Sequence, residues 1–164
     1  MKKLALLLAA TATLAGCATI ETVNTSQEQV AKVYAVPSAN KLKIYSTSKQ
    51  WIAENFRSAK AVLEYDSKDE GTIIGNGSIA YPCDSAMALD CMTKAGWTVQ
   101  FTMRMDIKDE RFRLNFTNIS LAWPGYAGQA VMVKSDFERA RVRLLDLGDK
   151  IVANVGAQDK KQDW

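Results

Sequence analysis

A chain of 164 residues with 21 basic and 18 acidic side chains carries a formal charge of only +3, and it holds no histidine. The length suits one well-formed core and is short for two; the charge gives no electrostatic footing for nucleic acid; and the missing imidazole excludes His-based triads, His-ligated zinc and the usual general base near neutral pH. Lys2 and Lys3 precede residue 17 without an acid beside them, so 19 basic groups face 18 acidic ones over residues 17–164, and the apparent basicity belongs mostly to the N-terminus.

The chain opens on a leader. Lys2 and Lys3 form a cationic start, Leu4 to Leu14 supply an apolar run too short to cross a bilayer as a permanent helix, and Ala15-Gly16 are small enough for a peptidase. Residues 1–16 therefore read as an export signal peptide. Leu14-Ala15-Gly16 runs directly into Cys17, which resembles the lipobox of bacterial lipoproteins. That resemblance implies cleavage before Cys17 and acylation there, palmitate included, so that the mature chain is held to a membrane by its N-terminal lipid and does not span it. One acyl chain anchors marginally and two or more stably, at about 0.8 kcal/mol per buried methylene. Lipoproteins kept at an inner membrane tend to carry Asp after the cysteine. Ala18 implies, in a host with two membranes, the outer membrane with the domain facing the periplasm. Residues 17–29, the lipidated cysteine followed by ATIETVNTSQEQ, read as a flexible tether reaching at most about 40 Å.

Val30 to Val36 alternates loosely and stops at Pro37, as a short first strand does. Ser38 or Asn40 can cap a helix in which Tyr45, Ile52 and Phe56 recur at helical spacing with Trp51 beside them. From residue 60 the period changes to two. Ala61, Leu63 and Tyr65 alternate with Lys60, Val62 and Glu64, Asp66 to Gly71 supply turn residues, and Thr72 to Tyr81 resume an apolar run with glycines at 75 and 77.

Pro82 to Cys91 then interrupts the strands. With Cys17 acylated, Cys83 and Cys91 remain as an even pair in an oxidising compartment, which reads as a disulfide pinching the base of a hairpin loop. The chain-entropy model gives about 2.5 kcal/mol for a loop of this size. A redox-active or metal-binding pair is disfavoured by a spacing far from Cys-x-x-Cys and by the absence of histidine, so no metal or cofactor is expected.

Alternation is cleanest after that loop. Trp97, Val99, Phe101, Met103, Met105 and Ile107 form one face, and Thr98, Gln100, Thr102, Arg104 and Asp106 the other. Lys108-Asp109-Glu110 turns the chain, and Phe112, Leu114 and Phe116 continue the apolar face until the phase slips near Asn118, as at a bulge or a strand end. Ser135-Asp136-Phe137-Glu138 fits a capping box. Phe137, Ala140, Leu144, Ile151 and Val155 follow at near-helical spacing, with Gly148 an interruption that would bend or loosen the helix. The polar tail, residues 156–164, is expected to be disordered.

Three stretches taken together resemble a known family: Trp51 and Phe56; Tyr65 through Gly77 with its Gly-Thr-Ile-Ile-Gly strand; and Val99 through Arg113 with a charged turn before Arg111-Phe112-Arg113. They are similar to a bacterial domain of unknown function with a TATA-box-binding-protein-like fold. The resemblance implies an α+β, TBP-like domain over residues 30–155, ordered β-α-β-β-β-β-α, whose curved antiparallel sheet carries two helices on one face. The Cys83 to Cys91 insertion is a local elaboration, and the family brings no catalytic residues to carry over.

The chemistry left to weigh is sparse. Asp66, Asp69, Glu70, Asp106, Asp109 and Glu110 cluster in turns, where acids are most often solvated. Ser46-Thr47-Ser48-Lys49 matches the Ser-x-x-Lys pattern of penicillin-recognising enzymes by chance, since the chain is too short for that fold and has no Ser-Asp-Asn or Lys-Thr-Gly partner. Gly75-Asn76-Gly77 is no phosphate loop, because nothing helical follows it. What remains is the wet face of the sheet: Thr98, Gln100, Thr102 and Arg104 beside Arg111, Arg113, Asn115 and Thr117, a polar field with a basic end. This face is either an ordinary solvated surface or a platform for an envelope protein or polymer. The expectation is a lipid-anchored cell-envelope protein with a non-enzymatic binding or scaffolding domain and no nucleic-acid partner. Two rivals stand beside it. A small-ligand or lipid-binding module needs an apolar pocket between helices and sheet, and a hydrolase of envelope polymers needs two acids converging in a cleft.

Overall fold

A computed structural model describes residues 20–56, 62–83 and 88–158 of the chain. The leader, Cys17, Lys60 and Ala61, and the tail 159–164 lie outside the described residues. In chain order the elements are β1 (Thr22–Asn24), β2 (Val30–Ala35), α1 (Lys41–Asn55), β3 (Val62–Ser67), β4 (Thr72–Ala80), α2 (Ala88–Thr93), β5 (Thr98–Lys108), β6 (Arg111–Ala122), β7 (Val131–Val133) and α3 (Lys134–Gln158).

The strands with the cleanest alternation form the centre. Val99, Phe101, Met103, Met105 and Ile107 of β5 and Phe112, Leu114 and Phe116 of β6 are all buried on one face. Full burial of such side chains contributes roughly 1.5–3 kcal/mol each, which commits both strands to this orientation. The sheet is antiparallel throughout, in the order β2-β6-β5-β4-β3. The phase slip near Asn118 is a bulge and not an end. The register against β5 shifts between Gln100 and Thr102, Asn118 takes a positive φ of 50°, and Ile119 and Leu121 return to the buried face.

Both long helices cover that same face. Asn40 caps α1, its side chain accepting from the Lys43 N–H at 2.9 Å, and the helix turns Ile44, Tyr45, Trp51 and Ile52 inward. Along α3 the buried residues Phe137, Ala140, Leu144, Leu147, Ile151 and Val155 recur every three or four positions. They join the inner faces of β2, β5 and β6 in one core. The expected arrangement of one antiparallel sheet with two helices on one face is thus observed.

Five details differ from the sequence expectations. The stretch read as a tether is not loose throughout: Thr22–Asn24 forms β1, paired antiparallel with Val131–Val133. A three-residue strand has no period to read, so neither β1 nor β7 was legible. The Cys83–Cys91 bridge spans a Cα–Cα distance of 5.5 Å, within the usual disulfide range, yet it joins the chain after β4 to α2 and does not close a plain hairpin loop. In β3 a register shift between Leu63 and Tyr65 breaks the expected alternation. Leu63 stays over the inner face, Tyr65 pairs with Ile74 on the outer one, and both are more than a third exposed. The Ser135–Glu138 stretch is no capping box, because α3 already starts at Lys134 and Asp136 turns inward, 3 % exposed. Finally, α3 continues through Gly148 to Gln158, past the expected boundary at 155.

Candidate functional site

Strand register assembles the outer face of the sheet, opposite the helices. Thr98, Gln100, Thr102, Arg104, Asp106 and Lys108 of β5 stand across from Ala122, Ser120, Thr117, Asn115, Arg113 and Arg111 of β6. The sequence-predicted residues therefore do share one face, but they divide into three regions with different surroundings.

At the centre the side chains are tied to each other. Asn76 donates to Glu64, Thr102 donates to Asn76 Oδ1 at 2.8 Å, and Asn118 donates to Thr102 at 3.2 Å. This chain of hydrogen bonds crosses β3, β4, β5 and β6, so Thr102 is held rather than free to rotate. At one end Thr98 and Gln100 are half-buried, because the connection after β6 folds against them: Trp123 and Tyr126 line the same 410 Å³ hollow. A side chain at Gly128 would sit 3.1 Å from Gln100 Oε1, and glycine permits that approach.

The other end is charged and exposed. Arg104 donates through Nε to Asp106 at 3.0 Å and also pairs with it through Nη2 at 2.9 Å, while Thr72 donates to the same carboxylate at 3.3 Å. The hydrogen bond to Asp106, and then its charge, raise the Arg104 pKa further above its ordinary value. Arg111, Arg113 and Lys108 complete this end by register, and Glu70 from the β3–β4 turn contributes a second negative charge near Arg104. On the sheet face itself four cations stand against two anions, while Asp109 and Glu110 of the adjoining turn accept from the Lys41 and Ser38 N–H groups. Opposite Arg104, the buried Asn115 Oδ1 has no hydrogen-bond partner among the described residues.

Two features escaped sequence reasoning. The first is a buried polar cluster joining the disulfide region to α3. The Tyr81 hydroxyl donates to Asp136 at 2.5 Å, Lys94 reaches both Asp136 oxygens at 2.8 and 2.9 Å, and Arg139 donates to the Tyr81 hydroxyl at 2.8 Å. Burial, and then the bond to Asp136, push the Tyr81 pKa up. These partners lie up to 58 residues apart, and no local pattern joins them. The second is a cavity of about 440 Å³ between the C-terminal turn of α1 and the inner sheet face. Gly75 and Gly77 occupy inward positions of β4, opposite Met103 and Phe101, and line that space with Ile52, Phe56 and Leu63; a Cβ at Gly77 would lie 2.8 Å from the Phe101 ring. The glycines stand out in the sequence; the space beside them does not. Among the described residues, no group of three or more His, Cys, Asp and Glu side chains is placed to hold a metal ion.

Residues 31–122 match the family described as a domain of unknown function (DUF4468) with TBP-like fold, and the chain belongs to that family. Two crystal structures share its fold. A DUF4468 family protein from Bacteroides ovatus aligns with a TM-score of 0.53 at 14 % identity, over 79 % of this chain and 84 % of that one. A TBP-like protein from Parabacteroides distasonis aligns with a TM-score of 0.58 at 11 % identity, over 78 % of this chain and 92 % of the other. No functionally curated protein matches the chain.

Proposed function

We propose that this family member is a lipid-anchored cell-envelope protein whose TBP-like domain binds without catalysing, and that the basic end of its outer sheet face meets an anionic envelope protein or polymer. The observation that carries the binding role is the placement of Arg104, Lys108, Arg111 and Arg113 at one exposed end of the face that α1 and α3 leave uncovered. The lipobox resemblance at Leu14 to Cys17 supports the anchor. Surface cations of this kind steer an acidic partner and set specificity more than they add raw affinity.

Crosslinking in intact envelopes before lysis tests the reading. The Arg104→Glu, Arg113→Glu double variant should stay folded, since both side chains are exposed and the Arg104–Asp106 pair is a surface ion pair worth at most about 1 kcal/mol. It should lose at least one crosslinked partner that the wild type captures. A folded double variant retaining every partner overturns the reading.

The cavity supports a second reading, a module for a small apolar ligand. Its 440 Å³ lies within the range of small-molecule sites, and its lining is mostly Ile52, Ala53, Phe56, Leu63, Phe101 and Met103. Native mass spectrometry of protein extracted from membranes should then show a bound apolar compound that an Ala53→Trp variant lacks. Both proteins flying at their own unliganded masses refute it.

A further inference from the structure

The chain between the acylation site and the folded domain is much shorter than its polar composition suggests. Backbone bonds pin it at both ends of β1: Lys134 N–H donates to the Glu21 carbonyl at 2.9 Å, and Thr25 N–H to the Ala130 carbonyl at 2.7 Å. The Thr25 side chain is fully buried, and its hydroxyl sits against the carbonyls of Ile119 and Ala130. The backbone bonds thus reach back to Glu21, four Cα steps from Cys17, about 14 Å at full stretch.

Side-chain alternation decides what this pinned end presents. Val23 and Met132, directly opposite each other, turn inward, and Met132 is 2 % exposed. The opposite face of the ribbon carries Val131 and Val133 with their partners Asn24 and Thr22, and Ile20 continues its period of two. Ile20 is 74 % exposed, Val131 60 % and Val133 38 %. Single exposed apolar residues need no explanation, but three on one face beside the anchoring end form a patch. The charges next to it cancel, since Lys134 pairs with Glu21 at 2.7 Å.

We infer that the outward face of the β1–β7 ribbon, with Ile20, Val131 and Val133, rests against the lipid surface and fixes the orientation of the domain. This inference rests on the lipid-anchor reading above. An acyl group at Cys17 places the ribbon within about 14 Å of the bilayer, roughly the depth of its headgroup region plus one side chain, so the patch is within reach of the interface. The β7 end of the ribbon adjoins the C-terminal end of β6, where Leu121 and Gln129 exchange backbone bonds. The Asp109–Glu110 turn lies at the other end of β6, roughly 36 Å away for a strand of this length. Lys108, Arg111 and Arg113 therefore lie at the end of β6 remote from the ribbon, separated from the patch by most of the strand's length.

The test uses the full-length protein in intact cells, with the photoreactive residue p-benzoylphenylalanine placed singly at Val131, Val133 or Leu42. Leu42 is 53 % exposed at the start of α1, next to Lys41, whose N–H donates to Asp109 at the distal turn. After irradiation, peptide mass spectrometry reads lipid adducts on the probe-bearing peptide and, in the same sample, acyl groups on the peptide beginning with Cys17. Severalfold more lipid adduct at Val131 and Val133 than at Leu42 is expected. Equal lipid adducts at all three sites overturn the inference, as do adducts at Val131 and Val133 that join only a second copy of the chain or another protein. An acylated Cys17 with no lipid adduct at either valine overturns it alone, whereas an unmodified Cys17 overturns the anchor reading and this inference together.

Discussion

Gly148 shows how a residue that weakens an element locally can be required by the fold. In the sequence it interrupts the apolar stripe of the last helix. In the structure a Cβ at this position would lie 2.1 Å from Tyr34 Cζ, because the Tyr34 ring lies across the helix backbone, stacks on Phe112 at 5.1 Å and donates to the Leu145 carbonyl at 2.6 Å. Ala in place of Gly gains about 1 kcal/mol of helix propensity in isolation. Overpacking costs roughly 1–3 kcal/mol, and losing the hydroxyl bond adds about 1 kcal/mol. The clash wins, so Gly148→Ala should lower the urea midpoint, and an unchanged or raised midpoint would show that Tyr34 can move aside. Asp136 is the second case. It is 5 % exposed at its side chain and is the acceptor shared by Tyr81 and Lys94, so Asp136→Asn should cost roughly 3 kcal/mol. Lys94→Met should cost less, since Tyr81 still donates to the carboxylate and Arg139 stands 3.8 Å from it. Chemical denaturation of both variants gives the order; the reverse order would mean that the lysine, not the carboxylate, organises the cluster. The Ser-x-x-Glu pattern misled here because a capping box is a local signal, while the partner that claims Asp136 is 42 residues distant.

Among the elements, β5, β6 and the two long helices were legible because each buries one face over many residues, and a strict period survives in the sequence. The edge strand β3 was legible only in part. Its bulge places Asp66 over the inner side, where Tyr45 and Lys49 of α1 both bond its carboxylate. Sequence reading left that acid as a solvated turn residue. The bonds from Lys49 and then Tyr45 hold the Asp66 pKa below its ordinary value, and burial and the bond to Asp66 push the Tyr45 hydroxyl up to about 12. A depressed carboxyl stabilises the fold fully above its unfolded pKa, about 3.9, and that stability is lost as pH falls through the folded value. Wild type should therefore exceed Asp66→Asn in the stability read from urea denaturation at neutral pH, by about 1 kcal/mol, and the gap should close as pH falls below the unfolded pKa and through the depressed folded value. A gap that is constant with pH would mean that Asp66 contributes through shape and not charge. The outer face was legible as a face but not as three regions, because the Asn76–Thr102–Asn118 bonds and the covering of Gln100 depend on bulges and a connection that carry no period.

At the scale of the molecule, the core and the antiparallel sheet with two helices on one face followed from alternation and family resemblance, while the order of strands in the sheet and the pinned N-terminal ribbon did not. On the lipid-anchor reading, that ribbon shortens the proposed tether from about 40 Å to about 14 Å. The proposed closeness of the ribbon to a lipid surface depends on acylation at Cys17. Metabolic labelling with a fatty acid, followed by membrane fractionation of wild type and Cys17→Ser, tests that dependence most directly. The account predicts label and membrane association in the wild type and loss of both in the variant; equal labelling of the two proteins, or an unlabelled wild type, would contradict it.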